Sequence, residues 1–255
     1  MNPSVTIHTI IKNEDQWIWY ALMSVIDFAD QILIYDTGST DNTLDIIKSI
    51  NSPKIVLESH LASTREDLVK LRQLQLDRTR TPWFMLLDGD EIWPQENLHQ
   101  LFKAAAGANS PTLAFVTRTR NCIGDIYHYL PEAKGHYRIA GRTGHLNIRL
   151  IRKAPDLRVM GEYPLETYTL AGTPIQNLES RTQFVDTWYL HLTHLSRSTL
   201  RSSTSSVIDR LKKHKFRFGI KMTRAELPQV LWQSRPTLVP PPITNRWLEL
   251  IKSIL

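Results

Sequence analysis

Apolar residues in the first half of the chain arrive in short runs separated by stretches of helical spacing. Val5–Ile11 (VTIHTII) is continuous and β-branched, the pattern of a strand buried on both faces. Glu14–Phe28 places Trp17, Tyr20, Ala21, Ser24 and Val25 at helical spacing. A second run, Gln31–Asp36, ends in an acid, and Thr37–Thr43 (TGSTDNT) supplies turn and then helix-cap chemistry, with Asp41 the capping residue of a short helix to Ile50. Lys54–Ser59 predicts a third strand and Arg65–Arg78 a helix with Leu68, Leu71 and Gln75 on one side. Trp83–Asp88 predicts a fourth strand, again ending in an acid. Pro94–Ala106 predicts a helix with its proline in the first turn, and Thr112–Arg120 a fifth strand. This alternation predicts an α/β fold with a mostly parallel central sheet flanked by helices.

Beyond residue 120 the pattern loosens. Residues 121–144 mix Gly, Pro, Tyr and His and predict a long excursion over the sheet. Leu146–Arg152 and Thr187–Leu192 predict strands, Arg197–Lys215 a basic helix, and Thr244–Leu255 a small amphipathic helix after a proline-rich stretch. The organisation expected is a sheet half at 1–120, a less regular half of the same domain at 121–225, and a tail at 226–255. The single cysteine, Cys122, excludes an intramolecular disulfide and a four-cysteine zinc site. Neither a signal peptide nor a membrane-spanning run is expected, which predicts a cytoplasmic protein.

Charge changes this picture in one place. The chain carries a net +6, and residues 197–224 hold nine basic side chains against one acidic. A near-neutral body with one basic segment suggests a local anionic partner, a diphosphate or an anionic membrane surface, rather than nucleic acid.

Two strand ends carry the candidate chemistry. In open α/β sheets ligands bind beyond the carboxyl ends of the strands. Asp36 stands at one such end, and Asp88-Gly89-Asp90-Glu91 at another. In extended chain, Asp88 and Asp90 point to the same side. Gly89 allows close approach. Paired carboxylates of this kind favour Mg²⁺ or Mn²⁺, whose open positions take phosphate oxygens.

IIKNED (10–15), ILIYDTGSTDNT (32–43) and TPWFMLLDGDE (81–91) together resemble the donor half of family 2 glycosyltransferases, inverting enzymes of the GT-A (Rossmann-like) fold. The resemblance covers roughly the first 95 residues. It implies a nucleoside-diphosphate sugar as donor, a UDP-sugar first among them, and a hydroxyl acceptor, a glycan or lipid-linked glycan of the cell surface. It places Thr9, Ile11 and Glu14 near the nucleotide and Asp36 on the base or ribose. Arg72 falls near the base or diphosphate, Asp88 and Gly89 at the ribose or metal, and Asp90 on a Mn²⁺ or Mg²⁺ ion. Arg72-Gln73 stands where the family commonly has Arg-Asn, so the arginine is kept and the asparagine is not. YLHLTHLSRS (189–198) resembles a later segment of bacterial members, which implies His191, with His194 the alternative, near the metal or diphosphate. In RVMGEYPLE (158–166) Tyr163-Pro164 and Leu165 depart from the commoner Val-His-Glu form. Glu166 is the first candidate for the catalytic base and Glu162 the second, with Asp125 and Asp186 behind them.

Other readings are weaker. A haloacid-dehalogenase-type phosphotransferase expects its Asp pair on the first strand. A sugar nucleotidylyltransferase expects a glycine-rich loop where Lys12–Trp17 has no glycine. A glycosyltransferase-like scaffold without turnover is the remaining alternative.

Overall fold

The computed structural model describes residues 3–109, 111–200 and 219–245. The elements, in chain order, are β1 (Val5–Ile11), α1 (Ile18–Val25), β2 (Gln31–Asp36), α2 (Thr43–Ser49), β3 (Ile55–Ser59), α3 (Arg65–Arg78), β4 (Trp83–Leu86), β5 (Glu91–Ile92) and α4 (Gln95–Ala106). They continue with β6 (Ala114–Ile123), β7 (Asp125–Tyr129), β8 (Tyr137–Ile139), β9 (Arg142–Gly144), β10 (Leu146–Arg152), β11 (Leu157–Met160), β12 (Thr167–Leu170), β13 (Thr173–Pro174), β14 (Thr182–His191) and β15 (Ile220–Lys221).

The main sheet runs β15-β7-β6-β10-β4-β1-β2-β3, with β14 beside β6 and β5 beside β14. Strands β1 to β4 are parallel, as their continuous apolar runs predict. Strand β10 enters antiparallel between β4 and β6, and β14 returns parallel to β6. The sheet is therefore a parallel block extended by a mixed one. Alternate residues face two apolar layers. Met85, Leu150 and Phe115 join α1 and α4 in one, while Phe84, Ile151 and Ala114 meet Leu76 of α3 and Tyr168 of β12 in the other.

Local chemistry fixes the element ends. Thr64 accepts from the Asp67 N–H, and the Asp67 carboxylate accepts from the Thr64 N–H, a reciprocal capping box that starts α3. Within α3 the buried Gln75 amide donates to the Thr9 and Leu33 carbonyls, at 3.0 and 2.9 Å, and ties the helix to two strand backbones. The first helix is shorter than the expected Glu14–Phe28. Asp15–Trp17 form a turn over the Glu14 carbonyl, which accepts from both the Trp17 and Ile18 N–H groups.

Further features differ from the sequence expectations. Strand β4 stops at Leu86, so Asp88–Asp90 lie in a turn rather than on extended chain. Strand β14 begins at Thr182, five residues before its apolar run. A separate antiparallel sheet, β11-β12-β13, stands where no strand was expected. Of the expected basic helix, Arg197–Leu200 are non-helical and the remainder falls outside the described residues. The terminal helix lies almost wholly outside them too.

Candidate active site

The carboxyl ends of β1, β2 and β4 meet at one edge of the sheet, and the turn after β4 carries the acids there. The Leu87 N–H donates to the His8 carbonyl, and the Glu91 N–H closes the turn on the Asp88 carbonyl. The Leu192 N–H then donates to the Asp90 carbonyl, so the end of β14 is pinned on this turn.

Every acid in the turn is paired with at least one cation, and Arg149 serves two of them. Asp88 Oδ1 accepts from Arg72 at 3.3 Å and Oδ2 from Arg149 at 3.2 Å. Burial pushes the Asp88 carboxyl up, but the two guanidiniums outweigh it and the net shift is down. Asp90 is buried. Its Oδ1 lies 3.5 Å from His191 Nε2, and its Oδ2 lies 4.0 Å from Arg197 and has no hydrogen-bond partner. Against the cost of burial, His191 and Arg197 hold its carboxyl well below the usual range, and Asp90 in turn raises His191. Glu91 is fully buried against Arg149; burial raises its carboxyl to about 7, with Arg149 pulling the other way.

Arg149 had no part in the sequence expectations. It sits at a register shift in β10 between Ile148 and Leu150, where a bulge re-aims a side chain. The Tyr189 hydroxyl accepts from its Nε at 3.0 Å, and Tyr189 stacks on Trp93. The available signal was an arginine inside an otherwise apolar strand, LNIRLIR.

A strap closes the other side. Glu14 is buried and pairs with Arg197, with its Oε2 unpartnered; burial raises its carboxyl although Arg197 opposes the shift. Gly89 packs on this residue, and a Cβ there would stand 2.8 Å from Glu14 Cγ. Asp15 accepts from the Thr199 N–H at 2.7 Å and from its hydroxyl at 2.5 Å. Asp41 takes the Ser198 hydroxyl at 2.6 Å, as well as the Thr43 N–H that starts α2. The Ser196 and Arg197 carbonyls accept from Trp17 Nε1 and the Gln16 N–H.

The remaining predicted residues fall at various distances from this centre. Glu166 is 3.9 Å from Arg72; its Oε2 is buried without a partner, and burial raises its carboxyl. Glu162, four residues earlier, faces outward to Arg65 at 3.3 Å. Tyr163 lies between them, its hydroxyl pushed up to about 12 by burial and by the charge of Asp88. Gln73, in the asparagine's place, accepts from the Val159 N–H at 2.8 Å and fixes β11 to α3. Asp36 turns its carboxylate into its own loop, accepting from the Gly38 and Ser39 N–H groups. Thr9 and Ile11 offer backbone carbonyls already taken by Gln75 and Thr37, and the Thr9 hydroxyl is buried without a partner. Asp186 is exposed and pairs with Arg118, Asp125 holds His128, and His194 lies in the turn after β14.

Among the described residues one group of side chains fits a metal ion. Asp88, Glu91 and His191 each present a ligand atom within 4.8 Å of the others. Two carboxylates and an imidazole form a donor set suited to Mn²⁺, and Mg²⁺ less readily. Asp90, which the resemblance placed on the ion, is not in this group, and its unpartnered Oδ2 stands 4.0 Å from Arg197.

The sequence profile of glycosyl transferase family 2 matches residues 6–156, more than half the chain. The protein belongs to glycosyl transferase family 2. It is 30% identical over 103 residues to the SPbeta prophage-derived glycosyltransferase SunS of Bacillus subtilis (strain 168), a match that covers 40% of this chain and 24% of SunS. The same match is found with glycosyltransferase SunS of Bacillus phage SPbeta. The chain thus spans about a quarter of the length of these curated relatives. Its fold is similar to that of S. aureus TarS, with a TM-score of 0.52 at 14% identity, covering 74% of this chain and 36% of TarS. Against TarS 1–349 in complex with UDP-GlcNAc the TM-score is 0.53, covering 82% and 64% of the two chains. These likenesses establish the GT-A architecture that the motif resemblance implied. Among the described residues, no helix is long and apolar enough to cross a membrane.

Proposed function

We propose that this family member transfers a sugar from a nucleoside-diphosphate sugar, a UDP-sugar first, to an acceptor hydroxyl with inversion at the anomeric carbon. The observation that carries this reading is the meeting of Asp88, Asp90, Glu91 and His191 with Arg72, Arg149 and Arg197 at the edge where α/β sheets bind ligands. An open cavity of about 460 Å³ lies beside Asp36, lined by Ser59, His60, Leu61 and Lys70, and offers room for the base. A divalent ion held by Asp88, Glu91 and His191 would supply positive charge to the diphosphate oxygens.

The protein's own groups then have distinct tasks. Arg197 and Arg72 face the edge where the leaving diphosphate gathers negative charge, and fixed cations there stabilise the transition state more than the ground state. Glu166 is favoured over Glu162 as base. It is the one held beside Arg72 with an unpartnered oxygen and a raised carboxyl, closer to the pH at which a base works well. It would take the acceptor hydroxyl proton as the new C–O bond forms and the bond to the diphosphate breaks. The acceptor that the motif resemblance implies is a glycan or lipid-linked glycan, which would place the reaction in cell-surface polysaccharide or glycoconjugate synthesis. Peripheral membrane contact through the basic segment rests on residues that fall mostly outside those described.

The test is thermal unfolding with uridine, guanosine, thymidine and cytidine diphosphates, each with and without Mn²⁺, on wild type and Asp90→Asn. At ~100 times its dissociation constant a ligand stabilises the native state by about 2.7 kcal/mol, and each kcal/mol moves the midpoint of a domain this size by about 2–4 °C. A metal-dependent rise with one nucleotide, absent in Asp90→Asn, is the expected result. No rise with any nucleotide would remove the donor site and favour the scaffold reading. Glu166→Gln is expected to abolish turnover and leave the nucleotide response intact.

A further inference from the structure

Across β6 from His191 the structure carries a second polar cavity that the donor site does not use. Strand β6 runs on past the residue paired with His191: Asn121 faces His191, and Cys122 then faces Tyr129 of β7. Two strand spacings, about 10 Å, separate β14 from β7. The cavity on β7 has a volume of about 500 Å³ and is lined by Asp125, Tyr127, His128, Lys221, Arg224 and Thr244, among others.

Its polar groups are arranged rather than scattered. Asp125 is buried, and its Oδ1 accepts from the Tyr127 N–H at 2.8 Å and from His128 Nδ1 at 2.7 Å. A carboxylate on Nδ1 fixes the ring's orientation and leaves Nε2 as its second polar atom. Lys221 is the cross-strand partner of His128 in the β7–β15 ladder, which sets the two side chains as neighbours. The Arg224 guanidinium carbon stands over the Trp232 ring, 4.4 Å from its centre, and Trp232 stacks on Tyr127. The nearby Glu226 carboxylate is turned away into a cap on the Thr223 N–H and hydroxyl. Two cations and an oriented imidazole thus share a cavity with one acid, whose Oδ1 already takes two hydrogen bonds.

We propose that this cavity is a phosphate-binding site, with Lys221 and Arg224 as its donors and the Thr244 hydroxyl at its rim. Charge-assisted bonds from a fixed guanidinium and an ammonium are the strong kind that bind phosphate oxygens. Resting on the transferase reading, its place across β6 from the donor centre makes it a holder for a phosphate group on the acceptor.

The experiment titrates inorganic phosphate and methyl phosphate into the full chain, followed by phosphorus NMR. It is run on wild type, Lys221→Gln and the Lys221→Ala/Arg224→Ala double variant. Uridine diphosphate with Mn²⁺ is measured separately on each protein. Saturable phosphate binding to wild type, weakened at least about tenfold in the double variant and less in Lys221→Gln, with an unchanged nucleotide response, is expected. Preference for methyl phosphate points to a substrate group, and preference for inorganic phosphate to the free ion; each supports the site. Equal phosphate binding by wild type and both variants overturns it, as does complete displacement of phosphate by uridine diphosphate. If nucleotide binding fails everywhere while phosphate binding holds, the transferase reading falls and the phosphate site stands.

Discussion

Replacing Arg149 with methionine tests whether the acids of the turn depend on a cation from the far half of the chain. Arg149 touches Glu91, Asp88 and Tyr189, and Glu91 is completely buried. Removing one partner of a buried ion pair typically costs about 3–5 kcal/mol, because the other charge is left uncompensated. At about 2–4 °C per kcal/mol this is a loss of ~6–20 °C in midpoint. The loss should also depend on pH. Burial already raises Glu91 to about 7 in the folded protein, above the ordinary glutamate value near 4.5. A raised carboxyl costs nothing below its unfolded pKa and costs stability as pH rises toward its folded one. Without Arg149 the folded value climbs further, so the variant should keep losing up to about 1.4 kcal/mol per pH unit above pH 7. Wild type should by then show no further loss from this group. Adding Glu91→Gln should recover part of the loss and flatten the slope. The assay is urea unfolding of the four proteins of the cycle between pH 5 and 8. A cost under 1 kcal/mol, or a double variant no more stable than Arg149→Met, would refute the reasoning.

Other perturbations have equally definite outcomes. Gly89→Ala pushes a methyl to 2.8 Å from the buried Glu14 stem, and should cost about 1–3 kcal/mol and loosen the Arg197 pair, read as lower stability and weaker nucleotide response. His8 is buried, stacks on Phe84 at 4.7 Å and bonds Thr79 at 2.6 Å; burial, then Arg72 and Lys153, lower its pKa well below the ordinary value. Its contribution is intact above about pH 6.5 and is lost as pH falls toward the folded value. His8→Phe should therefore flatten the acid side of the stability–pH curve by up to about 1.4 kcal/mol per unit, and an unchanged slope would count against it. Asp15→Ala removes both bonds to Thr199 and should cost about 1–3 kcal/mol, with faster amide exchange or proteolysis at 196–200 as the local readout.

The parallel block was legible because its strands are buried on both faces, and burial leaves an uninterrupted apolar run in the sequence. The ends of β1 and β2 matched for that reason. The β11-β12-β13 sheet was not legible. Its strands are two to four residues long, and Arg158 and Met160 of β11 are exposed, so no run marks it. Yet this sheet positions Glu166 through the link from Gln73 to Val159. Asp88 and Asp90 could be found from sequence, but not their separate partners. Those follow from the end of β4 at Leu86, and spacing in an assumed extended chain does not show where a strand stops. Arg149 was hidden for a related reason, since a bulge changes which way one side chain points without changing the composition of the strand.

The division of charge along the chain explains why the first motifs resemble a family more clearly than the later ones. Glu14, Asp88, Asp90 and Glu91 all come from the first 95 residues; of the cations that compensate them only Arg72 comes from that stretch, while Arg149, His191 and Arg197 come from the second half. Acids on a short turn need fixed spacing, and fixed spacing makes a motif. Cations on long side chains can reach the same point from many backbone positions, so their spacing carries little signal. The family profile ends at residue 156, and Glu166, His191 and Arg197 lie beyond it. Three of the side chains that complete this centre therefore stand outside the stretch the family shares. They ride on the short β11–β13 sheet, the end of β14 and the strap that follows, whose sequences are under the weakest constraint from the parallel core.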